Sequence, residues 1–219
     1  MADGNGLYVA DQQAGTAGTP ESGGGILTVP TTGTPTFLPG TAGRAPHGLD
    51  VVKQGGSHVI YFTGTDPANG AVGLFKVPAA GGTVTTVAEG APFIAPDSVV
   101  VDTKGVAYVS DQGTGVGQGE VFSVNGGKVT PVLTGQTLGS PAGVTLVGDE
   151  GTLLVSSIDV TSRSDEVLFL DLATGKTAAA TKALGANKNS SGGLHRALNA
   201  PILAWCDVSR SGKFYRIKP

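Results

Sequence analysis

The sequence predicts an all-β fold, a β-propeller built from about five units of short antiparallel strands. Three observations predict it: a strand pattern that recurs about every 45 to 52 residues, glycine-rich turns between the strands, and almost no helical periodicity. The chain has 219 residues, of which 36 are glycine and 13 are proline. This composition excludes a helical bundle, because each glycine inside a helix costs about 1 kcal/mol relative to alanine.

Each repeat opens with an apolar strand that follows a proline or a glycine. The copies begin at Pro46, Pro96, Pro141 and Gly192, which places them 50, 45 and 51 residues apart. A second and a third strand follow, and tight Gly-Gly or Asn-Gly turns lead into a fourth strand. Four short antiparallel strands in a repeat of this length are typical of a propeller blade.

The strands after the first strand of each unit can be placed from alternating apolar residues and turn residues. Second strands are predicted at 6–11, 59–63, 106–111, 152–156 and 203–207, and third strands at 25–30, 73–78, 119–124, 166–170 and 212–217. Fourth strands are predicted at 83–87 and 129–133, and the segment 177–184 fits either a fourth strand or a loop. The pattern predicts eighteen strands, whereas five complete blades would contain twenty.

The incomplete units lie at the two ends of a single predicted domain. The units span approximately 1–45, 46–95, 96–140, 141–191 and 192–219; the first lacks its first strand and the last lacks its fourth. An open sheet edge leaves backbone donors and acceptors unpaired. The ring is therefore expected to close through shared strands, to be part of a six-bladed propeller, or to be completed between chains as a homo-oligomer.

Composition also limits the partners. The formal net charge of −3, from 14 Lys+Arg and 17 Asp+Glu, gives no electrostatic basis for binding nucleic acid. No apolar run is long enough for a membrane-spanning helix, and the lone Cys206 allows no intrachain disulfide. The first six residues have neither the basic nor the apolar segment of a secretory signal. The low charge nevertheless favours a periplasmic or secreted protein.

The strand pattern resembles that of two related groups of proteins. The units read Pro-x-Gly-apolar-x-apolar, then apolar-Tyr-Val-x-Asp, then Gly-x-apolar-x-x-Val over nearly the whole chain. This pattern is similar to that of NHL-repeat proteins and of the six-bladed gluconolactonase and regucalcin family. The resemblance implies hydrolysis of a lactone, an ester or a related small substrate. Enzymes and non-enzymes share such repeats, so a non-catalytic module that binds a ligand or protein is the alternative.

Two strand starts match positions that carry function in the gluconolactonase family. There, an Asn-Gly-Leu-Asp-type start supplies a calcium ligand, and a Pro-Asp-Gly-type start one blade later supplies an Asp that binds calcium and acts as general base. The matching segments here are Pro46-His47-Gly48-Leu49-Asp50 and Pro96-Asp97-Ser98. His47 thus replaces the Asn, and Asp97 matches the catalytic Asp. Calcium prefers oxygen ligands whereas imidazole suits zinc, so a divalent metal here is calcium by resemblance or zinc by ligand type.

The first strands of propeller blades begin at the central channel. His47, Asp97 and His195 are therefore predicted to converge at one channel mouth, as catalytic residues and as metal ligands. Arg44, Arg196 and Ser98 are the candidates for substrate binding, and either arginine could instead pair with Asp97. Two histidines in such a channel also leave a zinc-dependent lyase as a third possibility. The alternative interpretation is that these polar residues line a water-filled channel and have no catalytic or metal-binding role.

An aspartate recurs near the end of every second strand, and a glycine run follows one of them. The aspartates are Asp11, Asp66, Asp111, Asp159 and Asp207. Recurrence in every unit predicts a structural role, in which the carboxylate accepts hydrogen bonds from the following turn. The run 113–119 lacks the spacing and the following helix of a phosphate-binding loop, so it is predicted to be a loop between strands.

Overall fold

The computed structural model describes residues 6–13, 23–182, 191–196, 202–207 and 214–217. These residues form eighteen strands in five antiparallel sheets, with no helix among them. The first blade contains β1 (Gly6–Asp11), β2 (Gly25–Pro30) and β3 (Thr36–Phe37). The second contains β4 (Leu49–Gln54), β5 (Ser57–Thr65), β6 (Val72–Pro78) and β7 (Thr85–Glu89).

The third and fourth blades are also four-stranded. The third contains β8 (Pro96–Val101), β9 (Ala107–Asp111), β10 (Gly119–Asn125) and β11 (Lys128–Gln136). The fourth contains β12 (Val144–Leu146), β13 (Thr152–Asp159), β14 (Ser164–Asp171) and β15 (Thr177–Lys182). The fifth contains β16 (Ser191–Arg196), β17 (Leu203–Asp207) and β18 (Phe214–Ile217).

The five sheets form a five-bladed β-propeller. Within each sheet the strands pair in chain order, and β4, β8, β12 and β16 each form one edge of their sheet. These four edge strands contact one another in sequence, so they line the central channel. The predicted fold class is confirmed, and the segment that fitted a strand or a loop is strand β15, paired with β14.

The apolar residues form one layer between each pair of successive blades. Blades one and two enclose Tyr8, Ile26, Leu38, Leu49, Val51, Ile60, Phe62, Phe75 and Val77. Similar layers separate blades two and three, three and four, and four and five. The last layer contains Trp205, which is 2% exposed. Alternating strand residues thus face the two neighbouring blades, which is why the sequence pattern has a period of two.

The turns use the chemistry predicted for them. Gly126 and Gly127, between β10 and β11, have φ angles of 58° and 84°, as a tight hairpin turn requires. The recurrent aspartates cap their turns: Asp11, Asp66, Asp111 and Asp159 each accept a hydrogen bond from the backbone N–H two residues later, at 2.9 to 3.0 Å. Their predicted structural role is confirmed in these four copies. The side chain of Asp207 lies outside the described residues.

Buried hydroxyl groups connect the second blade to the third, and the third to the fourth, at the start of the inner strands. Thr63 Oγ1 of β5 donates to the backbone oxygen of Asp97 at 2.8 Å and accepts from the N–H of Gly48 at 3.1 Å. Ser110 Oγ of β9 donates to the backbone oxygen of Ala142 at 2.6 Å and accepts from the N–H of Ser98 at 3.1 Å. These bonds fix the position of one blade's inner strand from the second strand of the blade before it.

Candidate functional site

The candidate site lies where the inner strands of the second and third blades begin. His47 precedes β4 and Asp97 is the second residue of β8, and the distance from His47 Nδ1 to Asp97 Oδ1 is 3.6 Å. The Asp97 side chain is 4% exposed, whereas that of His47 is 40% exposed. The arrangement is a buried carboxylate beside a solvent-accessible imidazole. The structure therefore brings these two predicted site residues together.

A glycine makes this close approach possible. A Cβ on Gly48 would lie 2.6 Å from the backbone oxygen of Asp97 and 2.7 Å from the Cα of Ser98. Real Cβ atoms do not approach backbone atoms this closely, so the two inner strands meet at a separation that only glycine permits. The Pro-His-Gly sequence thus places the imidazole of His47 against the next blade.

The second oxygen of Asp97 is held by groups from two other parts of the chain. Asp97 Oδ2 accepts a hydrogen bond from Gln112 Nε2 at 2.5 Å and another from the backbone N–H of Ala142. Gln112 follows β9 of the same blade, and Ala142 precedes β12 of the fourth blade. Because both donors bind Oδ2, the carboxylate has a fixed orientation in which Oδ1 faces His47. Sequence reasoning missed both donors, since nothing in the repeat marks them.

His195 does not join this pair. In the strand register Leu194 pairs with Trp205 as Leu49 pairs with Phe62, so His195 matches Asp50 rather than His47. The offset of three residues corresponds to about 10 Å along a strand. This register does not support the predicted convergence of His195 with His47 and Asp97, which stays a prediction. Pairing with β17 sets the register of β16, and the sequence repeat did not indicate this register.

The environment of His195 also differs from that of His47. Its side chain is exposed, but protein around the ring lowers its pKa from 6.5 because burial disfavours the charged form. The His195 ring is therefore accessible to solvent and also lies close to other protein groups.

The two predicted arginines do not contact Asp97. Arg196 Nη2 donates to the backbone oxygen of Val101 at 2.6 Å, and its guanidinium lies 3.7 Å from Asp50 Oδ2 and 3.5 Å from Glu150 Oε1. It therefore links the fifth blade to the second, third and fourth blades. Pairing of Arg196 with Asp97, which the sequence left open, is excluded by this position.

Arg44 is directed into the blade rather than toward the channel carboxylate. Its guanidinium carbon lies 4.9 Å from the centre of the Phe75 ring, a cation–π contact. Ser98 is 9% exposed and its backbone N–H is held by Ser110 Oγ. Substrate binding by Arg44, Arg196 or Ser98 stays a prediction.

Asp50 is a buried carboxylate that sequence reasoning did not single out. It is 1% exposed; Oδ2 accepts from the N–H of Val101 at 2.9 Å, whereas Oδ1 is buried without a hydrogen-bond partner. Burial raises its pKa from 3.8 to about 6, although the Val101 bond and the charge of Arg196 both act to lower it. The signal was present in the sequence, because Asp50 closes the Gly-Leu-Asp segment of an otherwise apolar strand.

The donors near Asp97 do not fit calcium. One of its oxygens already accepts two hydrogen bonds, and its nearest predicted co-ligand, His47, offers nitrogen where calcium prefers oxygen. Within the described ranges no three His, Cys, Asp or Glu side chains are grouped so that they could hold a metal ion. The zinc-dependent lyase stays a prediction.

A cleft of about 290 Å³ opens beside Gln112. One wall is the loop from Gln112 to Val116, which contains the glycine run. The other is formed by Leu138 and Ser140, which precede the inner strand of the fourth blade, and by Ile158 of β13. Gln112 lines the cleft and also donates a hydrogen bond to Asp97 Oδ2. Elsewhere, the described residues include no helix with the length and apolarity to cross a membrane.

Comparisons with known proteins identify relatives of the fold. No protein-family model matches the chain, and no curated protein matches it. Among solved structures, one of a nidogen–laminin complex is 16% identical with a TM-score of 0.68, over 97% of this chain and 73% of that chain.

Two further solved structures belong to the family that the sequence resembles. The calcium-binding protein regucalcin from Agrobacterium tumefaciens is 17% identical with a TM-score of 0.61, over 87% of this chain and 62% of that one. A gluconolactonase from Xanthomonas campestris is 17% identical with a TM-score of 0.61, over 89% of this chain and 65% of that one. The chain thus spans less than two thirds of either protein. It is a five-bladed β-propeller whose fold is similar to those of regucalcin and gluconolactonase.

Proposed function

We propose that the chain is a hydrolase of a lactone or small ester, in which His47 is the general base and Asp97 orients it. The observation that carries this proposal is the contact between a solvent-accessible imidazole and a buried, fixed carboxylate. The similarity in fold to a gluconolactonase supports the class of substrate. Other propellers share the fold without this chemistry, so the side-chain pair carries more weight than the fold.

In the proposed mechanism the two nitrogens of His47 have different tasks. Nδ1 faces Asp97 Oδ1 at 3.6 Å, so the proton of a neutral imidazole is placed on Nδ1. Nε2 then carries the free electron pair, and it takes a proton from the attacking water.

The reaction is completed by returning that proton. The water oxygen bonds to the acyl carbon, the acyl carbon–oxygen bond breaks, and the leaving alkoxide takes the proton from His47. Asp97 is not the nucleophile in this scheme, because it is 4% exposed and both oxygens face protein groups. The metal-binding role that the resemblance implied for Asp97 is replaced by an orienting role.

The test compares variants of both residues in an assay of lactone and ester hydrolysis by the purified chain. His47→Gln is expected to lower kcat by about 10²- to 10⁴-fold, the usual contribution of a general base. Asp97→Asn keeps the shape of the side chain but removes the charge, and it should lower kcat with a smaller effect on KM. His58→Gln, which alters a histidine on β5, is the matched control and should retain full activity.

Chelation separates this proposal from metal-dependent hydrolysis. Treatment with EDTA should leave the rate unchanged if His47 activates the water. A rate that falls on chelation and returns with calcium or zinc would contradict the role of His47 as sole base. Wild-type activity in His47→Gln would do the same.

A second candidate function, protein binding without catalysis, is favoured by a different observation. Ile94, Val116 and Val160 are 55%, 80% and 62% exposed. All three lie in loops on the face where the inner strands begin, and exposed apolar side chains on one face mark interaction surfaces. The similarity to a propeller from a nidogen–laminin complex agrees with this function. If the chain is a binding module, a protein partner should bind the wild type but not the Ile94→Asp variant. The chain should then hydrolyse no ester.

A further inference from the structure

The cleft beside Gln112 is lined by side chains without charge. Its apolar residues are Val116, Leu138 and Ile158, and its polar residues include Ser140 and Thr137. No charged side chain belongs to the lining among the described residues. A phosphate or carboxylate entering this cleft would lose water without gaining a cation, which is strongly unfavourable.

The floor of the cleft is part of the core, whereas its outer wall is the loop between β9 and β10 of the third blade. Leu138 is 9% exposed and packs in the layer between the third and fourth blades. A Cβ on Gly119 would lie 2.6 Å from Leu138 Cγ, so this glycine makes room for the floor. The loop is held across the cleft by a 3.0 Å hydrogen bond from the Gly117 N–H to Thr137 Oγ1.

Val116 stands out on this loop because it is 80% exposed. An apolar side chain at the lip of a cleft with an apolar floor gives a ligand two apolar surfaces to contact. The volume of about 290 Å³ is close to the lower limit of small-molecule sites, roughly 300 to 1,000 Å³. The cleft therefore suits a small molecule with a short apolar group rather than a long chain or a polymer.

We infer that this cleft binds the alkyl group of an uncharged lactone or ester, and so determines which substrates the chain accepts. Gln112 makes the connection, because it lines the cleft and donates to Asp97 Oδ2. In this proposal the alkyl group occupies the cleft and the carbonyl of the substrate lies on the Gln112 side, toward Asp97. Naming the ligand as a substrate rests on the proposed hydrolase function, whereas the binding of an uncharged alkyl compound does not.

The test measures binding separately from hydrolysis. 3-Propylcyclohexanone is the ligand probe, since it has the shape of δ-octalactone but no bond that can be hydrolysed. Its Kd is measured by titration calorimetry with the full chain, and hexanoate serves as the anionic probe. We expect the ketone to bind and hexanoate to bind at least about ten-fold more weakly.

Two exposed valines provide matched variants. Val116→Asp places a charge at the lip of the cleft and should raise the Kd of the ketone at least about five-fold. Val160→Asp changes a valine that is 62% exposed in a neighbouring loop and outside the lining, and it should change the Kd less than two-fold. Equal effects of the two substitutions, or tighter binding of hexanoate, would overturn the inference.

The outcomes for the two proposals are distinct. If the ketone binds with the expected response to Val116→Asp but δ-octalactone is not hydrolysed, the cleft inference stands and the hydrolase proposal fails. If the ketone does not bind while a polyol lactone is hydrolysed in a His47-dependent manner, the cleft inference fails and the hydrolase proposal stands.

Discussion

The buried carboxylate of Asp50 should make the stability of the propeller depend on pH. Its pKa is about 6 in the folded chain, against 3.8 for the ordinary side chain. Between these two values the folded state holds a proton that the unfolded state has released, so the free energy of unfolding falls as pH rises. With these two pKa values, the loss between pH 4 and pH 7 is on the order of 2 kcal/mol.

Asp50→Asn removes this titration and isolates its effect. Arg196, whose Nη2 lies 3.7 Å from Asp50 Oδ2, attracts this carboxyl group only when the group is ionised, so its effect is already contained in the Asp50 pKa of about 6. Relative to wild type, the variant should therefore become more stable between pH 4 and pH 7, by on the order of 2 kcal/mol.

Urea unfolding at pH 4, 5, 6 and 7 measures this difference. The fluorescence of the single tryptophan, Trp205, reports unfolding because it is 2% exposed in the folded chain. Asp66→Asn is the control, since Asp66 is an exposed turn aspartate. Parallel pH profiles for wild type and Asp50→Asn would refute the reasoning.

Three further predictions concern the contacts between blades and chains. Gly48→Ala should lower the free energy of unfolding in urea by about 1 to 3 kcal/mol, because its Cβ would overlap the backbone of Asp97 and Ser98. Gly148→Ala is the control, since no atom lies within 4 Å of the position its Cβ would take. Ser110→Ala should cost about 1 to 3 kcal/mol by leaving the Ala142 carbonyl and Ser98 N–H unpaired, whereas Ser123→Ala, at an exposed bond, should change stability by less than about 0.5 kcal/mol. Leu7 and Val9 of β1 are 44% and 38% exposed, as expected for apolar residues that a second copy of the chain would cover. Light scattering should therefore show an oligomer, and the double variant Leu7→Lys/Val9→Lys should be monomeric. A monomeric wild type would contradict completion of the propeller between chains.

Most of the fold could be predicted because glycine and proline mark the turns between strands in each repeat. The third strands predicted at 73–78 and 119–124 are β6 (Val72–Pro78) and β10 (Gly119–Asn125), and each begins near a glycine that also ends a loop. The aspartate caps were predictable for the same reason, since each acts on a backbone N–H two residues away. Local chemistry of this kind is readable from one sequence.

The site was predictable only in part, because it depends on contacts between distant residues. The pairing of His47 with Asp97 followed from two equivalent strand starts. The position of His195 did not, because the fourth copy of the motif has no proline to mark its start and its register is set by β17. Asp97 is held by Gln112 and Ala142, which are 15 and 45 residues away in the sequence. Arg196 reaches Val101 across 95 residues, and no local pattern indicates such a contact.

Chemical rescue of a His47→Ala variant tests the central claim, that His47 oriented by Asp97 activates water, most directly. The variant leaves a space beside Asp97 that free imidazole can enter, since the His47 side chain is 40% exposed. Hydrolysis of a lactone should fall by about 10²- to 10⁴-fold in the variant. Added imidazole should restore part of the rate, with little effect on wild type. A variant that hydrolyses the lactone at the wild-type rate, with no response to imidazole, would contradict the claim.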